Sequence, residues 1–544
     1  MLSKNTIQAG NSEQKSSSSG NTVPQPERSS TAQHSKKHHP LRTTLLFTLV
    51  VAILISATVR LLSLAYDAGK QIQVRIASQQ PAEIDLQQST PISPYLLGAN
   101  VFPAAGTNSV DKIGSGFMNY STPIAKGLQA AHVKLLRFPG GNWGENHVAS
   151  LSQLDDFSTL LSRVGADGMV QVQISAPSNG SLTDLATRAK RAAQLVDFMN
   201  NQHSVLRTGN YAHAPFHPIK LWTIGNEPDR LINPDTGKKY TVAEYVQTFI
   251  QFSTAMHQAD PTIKVFGPEI SQFYGLGTGL TDAQRQLWME GFLKGVSDYE
   301  RLHPATNVHL VDAISLHRYQ FDDAHLASAL LMSSTSEWNY LLPPLHQLIR
   351  QDFGRDLPVG VTEINTNPNG AVPSRSLAAL WWADTLGALA NQQIEYVAFF
   401  ATQGVETPYP LFTSQHAQQT AMLHVFQMFS HLQRNLVPLA VQSEPVSIYA
   451  TSDKQSQTLS LLFVNKSSVP QLAQVNMANG FFVTSPWPQV NVNLKGNSIM
   501  VVTLHRGGGA DAYNYTVSND ATPAPPTHVV CTTKTDTLST DKPC

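Results

Sequence analysis

Two glutamates are the residues with the clearest chemical potential. Glu227 follows the apolar run Leu221-Trp222-Thr223-Ile224 and sits in Gly225-Asn226-Glu227-Pro228-Asp229. Glu363 has the same setting in Leu357-Pro358-Val359-Gly360-Val361-Thr362-Glu363-Ile364-Asn365. Each run reads as a buried strand, so each carboxylate stands at a strand end. Two carboxyl groups held ~5–5.5 Å apart are the pair that retaining glycoside hydrolysis needs, one as nucleophile and one as acid/base. Asn226, beside Glu227, is placed to donate a hydrogen bond to the hydroxyl next to a reacting carbon.

Positioning two such residues requires several strands that end on one face. Candidate strands run over 95–102, 133–138, 169–174, 219–224, 263–266, 311–316, 358–362 and 396–400. Amphipathic stretches lie between them. The clearest places Leu182, Leu185, Ala186, Ala189, Ala192, Ala193, Val196 and Met199 on one helical face. Eight strand–helix units in strict alternation predict an α/β fold, a (β/α)8 TIM barrel over 92–433. An open doubly wound sheet would carry a Gly-rich phosphate turn after its first strand, and Gly98-Ala99-Asn100-Val101-Phe102 offers none. After residue 433 the pattern turns to short strand-like runs separated by Ser, Asn, Gly and Pro. That predicts an accessory antiparallel β-sandwich over 434–506, joined by a strand from the linker 67–91. The Gly-, Thr- and Pro-rich tail 507–544 reads as disordered.

The remaining bounds concern compartment and partners. Residues 1–42 are polar and read as a disordered cytoplasmic N-terminus, and 43–66 form an apolar run interrupted by Arg60. With Lys36, Lys37 and Arg42 ahead of it, the run reads as a transmembrane signal anchor with the catalytic part outside. A cleaved signal peptide is the rival reading. A net charge of -1 without a basic stripe argues against nucleic-acid partners. Cys531 and Cys544 either close a C-terminal loop as a disulfide or remain free thiols. Sequons stand at Asn119 and Asn465. There is no His-Glu-x-x-His, Walker loop or Gly-x-Ser-x-Gly, so nothing supports a metalloprotease, NTPase or serine hydrolase.

With these residues in place, the chain resembles glycoside hydrolase clan A over about residues 72–506. Within the clan, Leu136-Arg137-Phe138-Pro139-Gly140-Gly141-Asn142 is similar to the second-strand signature of the heparanase/β-glucuronidase family (glycoside hydrolase family 79) and of α-L-arabinofuranosidases. Pro228 after the glutamate leans toward the former. The resemblance implies Glu227 as acid/base, Glu363 as nucleophile, and Arg137 as a hydrogen-bond donor to the nucleophile. It implies His317 and Tyr319 in the site, with Asn142, Trp143 and Asn365 as further sugar contacts. Glu269 is a third carboxylate in range and reads as a hydrogen-bonding residue. Arg230, Lys238 and Lys239 form a cationic loop, read as solvated or as a carboxylate binder. Phe399-Phe400-Ala401 lacks the Trp common at that place in the clan.

The expected activity is therefore retaining hydrolysis of an extracytoplasmic oligo- or polysaccharide, β-glucuronidase- or heparanase-like. The alternatives are an arabinofuranosidase or endo-glucanase of the same clan, or a non-catalytic carbohydrate-binding envelope protein. No cofactor, metal or protein partner is implied.

Overall fold

The computed structural model describes residues 82–84 and 88–540, apart from 105–117, 177–182, 211–215, 276–282, 305–308, 321–327, 367–371, 406–407, 440–443, 477–488, 507 and 533–536. The expected anchor at 43–66 and its polar leader lie outside these residues. Among the described residues no helix is long and apolar enough to cross a membrane.

Eight parallel strands close into a barrel: β1 (Gly98–Asn100), β2 (Leu135–Phe138), β3 (Asp167–Val172), β4 (Leu221–Ile224), β5 (Lys264–Ile270), β6 (Ala313–Tyr319), β7 (Val359–Asn365) and β8 (Tyr396–Phe399). All eight overlap the expected runs, several with shifted ends. The helices between them start where capping chemistry allows. Ser150 and Gln153 form a reciprocal capping box at Leu151–Val164, and Thr241 and Glu244 do the same at Val242–Ala259.

Alternation along each strand sorts the side chains into two sets. Leu136, Val170, Trp222, Ile314, Val361 and Val397 face the helices and join the large outer core. Leu135, Met169, Leu221, Phe266, Ala313 and Tyr396 face inward and plug the barrel. Two residues further along the inward stripes, the chemistry changes to Arg137, Gln171, Thr223 and Ser315, all buried. The barrel is thus filled with hydrocarbon at the N-terminal end of its strands and with polar groups toward the end where loops gather.

Two one-residue bulges break this alternation. The β5–β6 register shifts between Pro268 and Ile270, and the β6–β7 register shifts between Leu316 and His317 as Glu363 is reached. Strict alternation would aim Glu269 and Glu363 at the helices. The bulges turn both into the barrel, a common use of an extra strand residue beside a site.

The accessory domain packs a seven-stranded sheet against a four-stranded one. Ile448, Leu461, Phe463, Val475, Val492 and Val502 fill the space between them. Thr90–Pro91 pairs with Asn435–Val437, and Ala82–Glu83 with Gln471–Asn476, so the segment before the barrel does join this domain. Two expectations need correction. The smaller sheet is mixed, because Ala82–Glu83 and Thr537–Ser539 pair in parallel with their neighbours. The region beyond residue 507 is not a disordered tail: it supplies strands Ala510–Thr516, Thr527–Cys531 and Thr537–Ser539. Its composition is weakly strand-forming, but Ala510 and Ala512 alternate into the core and pair along Ser498–His505, so tertiary pairing overrides propensity. Cys531 is disulfide-bonded, and the other cysteine of the sequence, Cys544, lies outside the described residues. Asn465 is fully buried and donates to the carbonyls of Val469 and Lys495, which removes that sequon from use.

Helix Arg375–Asn391 is buried on nearly every side, because it lies between barrel and sandwich. Its Asp384 accepts from Tyr449 Oη (2.7 Å), Thr335 Oγ1 (2.6 Å) and Lys466 Nζ (2.9 Å). Burial disfavours the Asp384 carboxylate, but Lys466 and the hydroxyl donors more than offset it and hold its pKa below the usual value. One turn on, a methyl group on Gly387 would stand 2.3 Å from the Tyr449 ring. Gly387→Ala is therefore expected to cost about 1–3 kcal/mol by overpacking. Differential scanning calorimetry should show a lowered Tm; an unchanged Tm would mean the ring moves aside freely.

Candidate active site

Arg137 organises the polar end of the barrel. Its guanidinium is wholly buried and donates four hydrogen bonds: Nη1 to Asn100 Oδ1 (2.8 Å) and Glu363 Oε1 (2.9 Å), Nη2 to Asn226 Oδ1 (2.9 Å) and Glu269 Oε2 (2.7 Å). Burial works against the cation, and the charges of Glu269 and Glu363 outweigh it, so Arg137 is held more firmly protonated than in water. Asn100 is fixed by donating from Nδ2 to the carbonyls of Thr362 and Ala398.

Glu363 is held at both oxygens. Arg137 takes Oε1, and Tyr319 donates its hydroxyl to Oε2 at 2.7 Å. Burial and then the Glu363 charge push the Tyr319 phenol well above its ordinary pKa, so it stays a neutral donor. Glycine is required opposite: a Cβ on Gly141, whose φ is 57°, would lie 2.9 Å from Glu363 Oε1. The ring of Phe400, half-buried, packs edge-on to Tyr319 at 6.1 Å. It is the aromatic residue at the end of β8 where the sequence lacks a Trp.

Glu227 sits three residues past β4 in the left-handed region, at φ 49°. Its amide donates to Glu269 O at 2.9 Å. His317 connects it to the rest of the site. Burial opposes the imidazolium, but the Glu363 charge and hydrogen bonds to Glu227 and Glu269 prevail and raise its pKa to about 10. Both ring nitrogens therefore donate, Nδ1 to Glu227 Oε1 at 3.2 Å and Nε2 to Glu269 Oε2 at 3.1 Å. One oxygen of Glu227, one of Glu363 and a nitrogen of His317 all lie within 4.8 Å of one another.

Glu269 is fully buried, and its pKa falls to about 2 because Arg137 and His317 together outweigh the large penalty of burial. The signs of the two shifts define a window. Glu269 contributes stability that is present above its ordinary 4.5 and lost as pH falls toward 2. His317 contributes stability that is complete below its ordinary 6.5 and lost as pH rises through about 10.

Of the expected site residues, Glu227, Glu363, Asn226, Arg137, His317 and Tyr319 come together. Asn142 is exposed and accepts from Asn226 Nδ2 at 3.2 Å. Two differ from expectation. Trp143 is only 8% exposed and stacks on His147 at 4.7 Å, so its face is not an open sugar platform. Asn365 is buried and donates its amide to the carbonyls of Phe400 and Tyr409, which fixes the backbone after β8. Asn100 and Thr362 are site residues that no motif marked. In the cationic loop, Arg230 Nη1 lies 3.8 Å from Glu227 Oε2 with the side chain half exposed, and Lys238 and Lys239 face solvent.

A closed barrel thus brings two carboxylates together at the end where its loops gather, and comparison with known proteins bears on the class. The model of glycoside hydrolase family 44 matches residues 146–321. No curated protein sequence matches the chain. A family 51 α-L-arabinofuranosidase from Bifidobacterium longum superposes with a TM-score of 0.54 at 16% identity, covering 74% of this chain and 89% of that one. The α-L-arabinofuranosidase of Thermotoga maritima, solved as an arabinose complex, gives 0.57 at 14%, covering 83% and 99%. A family 44 xyloglucanase from Paenibacillus polymyxa, solved with xyloglucan, gives 0.52 at 13%, covering 73% and 90%. The family-model match marks the chain as a glycoside hydrolase, and the superpositions show that its barrel and trailing domain share the fold of these enzymes.

Proposed function

We propose that the protein is a retaining glycosidase that works by double displacement, with Glu363 as nucleophile and Glu227 as acid/base. The observation that carries this is the approach of one oxygen from each carboxylate within 4.8 Å, which fits the ~5–5.5 Å pair of a retaining enzyme better than the ~6.5–9.5 Å that an inverting enzyme keeps open for water. Arg137 and Tyr319 orient Glu363 for attack on the anomeric carbon. Glu227 protonates the leaving oxygen, then takes a proton from the water that releases the sugar. This complement of groups favours catalysis over carbohydrate binding alone.

Neutral glycans are the preferred substrate class, either α-L-arabinofuranosides or a β-glucan such as xyloglucan. The family 44 match and the names of the superposed enzymes support that reading over the glucuronide expected from the second-strand motif. One observation keeps a uronic substrate as the second reading: Arg230, half exposed beside Glu227 Oε2, could bind a sugar carboxylate. The apolar run at 43–66 supports export of the barrel on a membrane anchor, and the disulfide at Cys531 suits an oxidising compartment.

The test is a panel of aryl arabinofuranosides, aryl glucuronides, xyloglucan and mixed β-glucans. The first-formed product, followed by proton NMR, is expected to keep the anomeric configuration of the substrate. Inverted product would remove the two-step mechanism, and preference for glucuronides would promote the second reading.

A further inference from the structure

Glu269 lies outside the pair that reacts, yet it is wired to both members. It is the extra residue of the β5 bulge, with its backbone at φ 59°. Oε2 accepts from Arg137 Nη2 (2.7 Å) and His317 Nε2 (3.1 Å), and Oε1 accepts from Thr362 Oγ1 (2.9 Å). Arg137 continues to Glu363, and His317 continues to Glu227. A carboxylate needed only to neutralise one buried cation would bond to that cation alone. This one holds two cations, each of which also grips a different reacting carboxylate.

Charge counting gives the arrangement a purpose. With Glu227 protonated before attack, the buried groups are Glu363 and Glu269 against Arg137 and His317, which sum to zero. In the first step the Glu363–carbon bond forms, the glycosidic bond breaks and the Glu227 proton leaves on the departing oxygen. Glu363 is then a neutral ester and Glu227 an anion, and the sum is zero again. Without Glu269 both stages would carry a buried positive charge against an oxocarbenium-like transition state that is itself positive.

We infer that Glu269 is a positioning residue for the double displacement: a fixed negative charge, bonded to Arg137 and His317 at once, that holds these two donors on Glu363 and Glu227 and sets the field in which the pair reacts. This rests on the roles given above to Glu227 and Glu363. The titratable and charged groups around Glu269 are Arg137 on β2, Glu227 after β4, Tyr245 on helix Val242–Ala259, His317 and Tyr319 on β6 and Glu363 on β7.

The experiment compares the parent with Glu269→Gln and Glu269→Asp. Loss of the negative charge makes protonation of every neighbour harder, so both limbs of the kcat/KM bell should move to lower pH in Glu269→Gln, by about 1 unit. Its kcat should fall at least about tenfold with KM little changed. Glu269→Asp should return the bell to the parent position. A Glu269→Gln bell at the parent's pH, or an Asp variant displaced as far as the Gln variant, would overturn the inference. A readout independent of turnover is the His317 imidazole, followed by NMR with nitrogen-labelled histidine. It should stay protonated through neutral pH in the parent and lose its proton at distinctly lower pH in Glu269→Gln. If it deprotonates at the same pH in both, the inference fails. If the parent hydrolyses no glycoside, the proposed function fails instead, and the NMR comparison decides the role of Glu269 alone.

Discussion

Glu363→Gln is expected to hydrolyse the best glycoside at least about 10⁴-fold more slowly than the parent. The substitution is nearly isosteric, and the amide oxygen can still accept from Arg137 or Tyr319, which bond Oε1 and Oε2 in the parent. What it loses is the anionic oxygen proposed to attack the anomeric carbon. The loss should fall on kcat and kcat/KM together, since the bond is made only in the transition state. A fluorinated glycoside incubated with the parent should label Glu363, and peptide mass mapping would locate it. Near-parental turnover by Glu363→Gln on every substrate of the panel would end the assignment.

Arg137→Leu should be the most damaging single change to the fold near the site. Arg137 is fully buried and carries the charge pairing of Glu269 and Glu363. Deleting one partner of a buried ion pair costs about 3–5 kcal/mol, because the other charge stays behind without compensation. Here two carboxylates lose a cation and are left sharing His317, and Asn100 Oδ1 and Asn226 Oδ1 each lose their donor. Chemical denaturation should show a lower midpoint with little change in slope. A midpoint equal to the parent's would mean that the barrel end tolerates the missing cation. Activity should vanish with stability, since Glu363 loses a donor at Oε1.

Much of this was legible in the sequence for physical reasons. Buried parallel strands are near-continuous apolar runs, and eight of them alternating with 3.6-residue stripes leave few architectures. Glu227 and Glu363 declared themselves by interrupting such runs. Arg137, His317 and Tyr319 came from resemblance, and the geometry gives each a bond that explains it. The bulges were not legible. Periodicity places Glu269 and Glu363 on the helix-facing side, and only the shifted registers at Pro268/Ile270 and Leu316/His317 reverse that. Asn365 was misread because its type fits a sugar contact equally well, while its partners are carbonyls of a distant loop. The strands beyond residue 507 were missed because their stability comes from cross-strand neighbours rather than local propensity, as with Ala512 and Val502 or Thr527 and Asn514.

Helix Arg375–Asn391 has an implication for how this protein can be cut or recombined. Its Trp382 stacks toward Phe399 and Phe426 on the barrel side, while Asp384 and Gly387 meet Tyr449 and Lys466 on the other. A barrel excised near residue 433 would present that second face, with an unmatched carboxylate among leucines and alanines, to water. The trailing domain is consequently part of the solvent shield of the last barrel unit. Domain shuffling would have to carry both pieces together, or redesign the seam between them.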